Sequence, residues 1–122
     1  MNNFEQISVL TPPKEVIKQI DGFKKLLNNS LDFVEKGKEN ETKINVKFYI
    51  NQIISFCNEN KENNDGGFGD HLSELAEAYE NLKDQLSQLS IDQLKSQLSR
   101  MEHGRAAEGL NDFIKKNNIN LN

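Results

Sequence analysis

Cysteine and histidine are the residue types in this chain best suited to nucleophilic or metal chemistry, and it carries Cys57, His71 and His103 as its complete set. A cysteine nucleophile works as its thiolate, which a neighbouring histidine or a helix N-terminus has to stabilise. Cys57 instead closes the apolar series Ile50, Ile53, Ile54, Cys57, which steps like one face of a helix. It falls late in that helix, where the macrodipole disfavours a thiolate. This pattern describes a structural core cysteine. One cysteine also excludes an intramolecular disulfide and a thiolate zinc cluster. The two histidines form no HExxH or HxH pair; His71 falls in a first helical turn and His103 at a helix break. The glycine-rich stretch DGGFGD, residues 65–70, lacks the Lys-Ser/Thr ending of a P-loop and the alternating acids and closing Glu of an EF-hand. No catalytic, metal or cofactor-binding residue is assigned, and the chain is expected not to be an enzyme.

What the residues do offer is binding chemistry. Between residues 59 and 84, eight acids face only Lys61 and Lys83, a local charge of -6 in a chain of net charge -4. At about 100° per residue, Asp70, Glu74, Glu77 and Asp84 lie opposite a leucine seam on one helix. A solvated face that aids solubility is the plainer reading; a docking surface for a basic partner is the sharper one. Phe68, set between glycines, is either part of a flexible connection or an interface anchor. The chain's two arginines, Arg100 and Arg105, bracket Met101, His103 and Gly104. Arginine grips carboxylates bidentately, so this stretch is a second contact candidate, with an intramolecular salt bridge to the acidic helix as the alternative.

The elements that must position these groups read as helices. Thr11 followed by Pro12-Pro13 is a helix start, with a hydroxyl to cap amides and prolines where no N–H is needed. Val16, Ile20, Phe23, Leu27, Leu31 and Val34 then recur at helical spacing, with Ile17, Leu26 and Phe33 widening the stripe and Gly37 stopping it. Residues 44–57 are ambiguous: Ile44, Val46, Phe48 and Ile50 alternate like a strand. The apolar stretch exceeds a typical strand and has no visible pairing partner, so helix is the assignment. Residues 58–70 are expected to be a loop, with Asp70 capping the next helix. There Leu72, Leu75, Tyr79, Leu82, Leu86 and Leu89 form a heptad seam, which closes a core, zips two copies or docks on another protein. Ser90 with Gln93 reads as a capping box that opens another helix, and the register slips again at His103-Gly104. The expectation is an all-α bundle of four to five mostly antiparallel helices: an N-terminal arm at 1–11, one helical domain at 12–116, and a frayed tail at 117–122.

With 122 residues there is room for one domain. A pI near 5.2 argues against binding a nucleic-acid backbone. No run is long and apolar enough for a membrane span, and MNNFEQISVL lacks the pattern of a secretory signal. A soluble protein made without export through the general secretory route is expected. Seventeen Asn stand beside four Ala; the asparagine tracts are given no functional weight.

The lysine- and asparagine-rich chain of this length, with its Thr11-Pro12-Pro13 start and its LSELAEAYENLKDQLSQLS segment, resembles the small Legionella regulators that inhibit the ubiquitin-modifying effectors MavC and MvcA. The resemblance implies a non-catalytic inhibitor that binds a Cif-like enzyme, a deamidase of ubiquitin or its crosslinker to an E2 enzyme, and blocks access of ubiquitin or the active site. It also implies translocation into a host cell. It supplies no binding residues. The other readings are a dimeric secretion chaperone or adaptor, a toxin-immunity protein, and a homodimer joined along the seam.

Overall fold

The computed structural model describes residues 11–63 and 65–122, so the expected arm lies outside the described residues except for Thr11. Five α-helices follow one another: α1 (Pro13–Asp32), α2 (Glu39–Asn60), α3 (Phe68–Gln85), α4 (Ile91–Met101) and α5 (Arg105–Lys116). A single 3-10 turn occupies Leu86–Gln88, and Asp65–Gly67 form a tight turn before α3. Among the described residues there is no strand, and the protein is a small all-α bundle.

Short links fold α1, α2 and α3 back along one another, and α2 is the central rod, packed on both neighbours. Its core residues Val46, Ile50, Ile53, Ile54 and Cys57 repeat at helical spacing. The strand-like alternation arises because Ile44 and Phe48, one turn apart, sit on its outer face at 69% and 56% exposure. Two apolar stripes on one helix mimic a period of two.

The first helix starts with Pro12 as its N-cap, and no side chain caps it. Thr11 contributes its carbonyl instead, which accepts a hydrogen bond from Nδ2 of Asn63 at 2.8 Å. Asn63 is buried, so this bond ties the α2–α3 link to the beginning of α1. Val16, Ile17, Ile20, Leu27 and Leu31 enter the core. The stripe is narrower and shorter than its sequence pattern: Leu26 is 46% exposed, the helix ends at Asp32, and Phe33 beyond it is 92% exposed.

The predicted loop 58–70 shrinks to the few residues between Asn60 and Phe68. Gly66 and Gly67 turn the chain with φ of 64° and 84°, values that any β-carbon would strain. Gly67 is the N-cap of α3, so Asp70 lies inside the first turn and does not cap it. Leu72, Leu75, Tyr79 and Leu82 are buried along α3, and Leu86 is buried in the 3-10 turn that follows. Leu89 is half-buried in extended backbone, where the seam leaves the helix. This ridge is covered within the chain, so of the three uses its spacing allowed the structure shows the closing of a core.

The capping box at α4 is complete: Oγ of Ser90 accepts from the Gln93 amide at 3.1 Å, and Oε1 of Gln93 accepts from the Ser90 amide at 2.9 Å. Helix α5 ends in a Schellman turn. Asn118 adopts the left-handed conformation (φ 53°), its amide donates to the Lys115 carbonyl, and the Ile119 amide donates to that of Ile114 at 3.0 Å. Residues 117–122, expected as a frayed tail, fold back on the bundle, with Ile119 and Leu121 half-buried against the core. Asparagines hold two helix ends as well, since Nδ2 of Asn60 donates to the Phe56 carbonyl at 2.8 Å and Nδ2 of Asn117 to that of Phe113 at 2.9 Å.

Candidate protein-docking groove

Cys57 is fully buried, as a core cysteine must be. Burial pushes its thiol from 9.0 up to about 12, with Lys24 pulling weakly the other way. Burial also raises the neighbouring Tyr79 hydroxyl, helped by Cys57, Glu102 and Asp21. The unfolded chain releases the cysteine proton near pH 9.0 while the folded chain keeps it to about 12, so in that window the unfolded state binds fewer protons. Stability is whole below that window and should fall as pH rises through it, by up to about 1.4 kcal/mol per pH unit for the thiol alone. Denaturant midpoints measured from pH 8 to 11 check the slope against a Cys57→Ala chain, in which the thiol's share disappears. A thiol-reactive dye should label the native protein at neutral pH far more slowly than the unfolded one.

The histidines serve packing and a turn. The His71 ring tilts against Phe113 with centroids 5.7 Å apart, and its Nδ1 is buried with no hydrogen-bond partner. A β-carbon on Gly109 would stand 3.0 Å from that atom, so the glycine in α5 makes room for the ring. His103 is exposed between α4 and α5. Among the described residues no three His, Cys, Asp or Glu side chains converge as a metal site.

Phe68 corrects the sequence reading. It is fully buried and stacks on Phe113, with centroids 5.1 Å apart and planes 27° from parallel. The left-handed Gly66-Gly67 turn swings the chain inward, so the aromatic between glycines enters the core rather than standing out as an interface anchor.

The charged candidates fare differently. Asp70, Glu74, Glu77 and Asp84 are all exposed on the outer side of α3. Arg100 and Arg105 are exposed at the end of α4 and the start of α5. Among the described residues, none of these six groups has an opposite charge within 4.0 Å; the ion pair found there is Lys38 with Glu35 at 3.8 Å. The intramolecular bridge from the arginines to the acidic helix is therefore not formed.

Three of the candidates meet at one place. A groove of about 480 Å³ opens between α3 and the α4–α5 elbow, and Glu74, Glu77 and Arg105 line it. Half-buried Ala78, Met101, Ala106 and Ala107 supply its accessible apolar surface, over Leu75 and Tyr79, which are only 4% exposed. Lys24 from α1 and Glu102 add two charges that the sequence reading did not select. Asp70, Asp84 and Arg100 lie outside the groove. A signal for it was present in the sequence: the chain's four alanines, Ala76, Ala78, Ala106 and Ala107, belong to only two segments, and three of them line this space.

Fold and groove define a small helical bundle with a mixed-charge cleft between α3 and the α4–α5 elbow. No protein-family model matches the chain, nor does any curated protein or solved structure. Among the described residues, no helix is long and apolar enough to cross a membrane.

Proposed function

We propose that this protein is a non-catalytic inhibitor that binds a bacterial effector enzyme and covers its working surface. The observation that carries the reading is the groove, where Glu74 and Glu77 from α3 and Arg105 from α5 surround apolar surface and none has an ion-pair partner among the described residues. Exposed charges in this arrangement speed encounter and select partners, and the apolar floor can be desolvated on contact. The target class comes from the sequence resemblance: a Cif-like enzyme that deamidates ubiquitin or crosslinks it to an E2 enzyme, with access of ubiquitin or the active site blocked.

The test is a titration of the purified chain into such an enzyme, with ubiquitin deamidation followed by mass. Activity should fall in proportion to added protein until one chain is bound per enzyme. Glu74→Lys with Glu77→Lys should raise the required concentration at least about tenfold, while circular dichroism and melting temperature stay those of the parent. Full enzyme activity at a large excess of the parent chain would reject the reading.

A further inference from the structure

We infer that the groove between α3 and the α4–α5 elbow is a receptor for a cationic amphipathic helix of the partner, with an apolar side chain seated against Ala78, Met101 and Ala106 over the buried Leu75 and Tyr79, and its lysines or arginines along α3. This deepens the proposed function and rests on its protein-binding reading. The volume of about 480 Å³ falls in the range of roughly 300–1,000 Å³ for sites that accept a compact apolar group. Anchors one helical turn apart are the usual way for a helix to fill such a space.

The charge inside the groove is divided between its walls. The α3 wall carries Glu74 and Glu77, both exposed, and no lysine or arginine. On the opposite wall Glu102 and Arg105 cancel, and Lys24 stands on α1 at the margin. A cation is therefore favoured on the α3 flank and opposed on the Arg105 flank, so the occupant's basic residues belong on one side of its anchor. The carboxylates are at a solvated rim, where they govern association rate and choice of partner; the affinity comes from the buried anchor.

The probe is a labelled synthetic helix with leucines one turn apart and lysines on one flank, titrated with the full chain. It should bind one to one. Replacing its leucines with serine, or its lysines with glutamate, should weaken binding at least about tenfold. Ala78→Trp, which fills the groove without changing charge, should do the same, and Ala107→Trp plugs the facing wall if the first variant unfolds. Glu74→Gln with Glu77→Gln should slow association and flatten its dependence on salt. Equal binding by the plugged and parent chains overturns the inference, as does equal binding of the serine peptide or the glutamate peptide. An apolar dye that enters the parent and the Gln variant equally, while the lysine peptide binds neither, overturns it in favour of a small-molecule cleft. The two proposals fail separately. Inhibition retained by Ala78→Trp removes the groove as the partner's seat and leaves the inhibitor standing, whereas peptide binding by a chain that inhibits nothing removes the inhibitor alone.

Discussion

Phe68→Ala should lower the free energy of unfolding by about 3–5 kcal/mol, the usual range for deleting a buried phenylalanine. The ring is fully buried, stacks on Phe113, and opens α3 directly after two left-handed glycines. Its removal takes away transfer free energy and leaves a void under α5 that the Gly66-Gly67 turn is poorly placed to close. Chemical denaturation should show an earlier midpoint with an unchanged slope. Partner affinity, compared at equal concentration of folded protein, should stay at the parent's value. A Phe68→Ala chain as stable as the parent but deficient in binding would restore the side chain to the interface and contradict the stacking described above.

Leu82→Asp should leave no folded protein at all. Leu82 is only 4% exposed on the core side of α3, and a carboxylate there would have to be buried without a cation or stay protonated. The penalty of several kcal/mol is comparable with the whole stability of a domain this size, about 5–15 kcal/mol. Far-ultraviolet circular dichroism should show loss of helix, and the band should broaden in size exclusion. Leu82→Met, which conserves volume, should cost less than about 1.5 kcal/mol and keep the fold. A folded Leu82→Asp chain whose solution mass had halved would mean that the leucine ridge joins two copies.

Periodicity, caps and turn residues made most of this architecture legible. The prolines after Thr11 and the Ser90–Gln93 box each mark a helix start where one is found, whereas α3 begins at Phe68, ahead of the cap expected at Asp70. Periodicity was least informative where a helix carries apolar residues on two sides, as at Ile44 and Phe48, because spacing shows which residues share a face and not which face is covered. The same gap explains Phe68: composition marks a turn, but the direction in which the turn aims its next side chain depends on φ. The groove was half legible. Charge alone singles out Glu74, Glu77 and Arg105, yet the cleft that unites them depends on how α5 docks on α3, a contact between segments distant in sequence. Lys24 enters it from a third helix.

The asparagine amides at the ends of α2 and α5 expose this fold to chemical ageing. Each acts as a donor to a carbonyl one turn back, and spontaneous hydrolysis of Asn60 or Asn117 to aspartate would turn that donor into an acceptor. The new negative charge would sit at the end of the helix where the backbone already presents its own negative pole. Deamidation at either position, read as an added negative charge on isoelectric focusing, should therefore loosen that helix end.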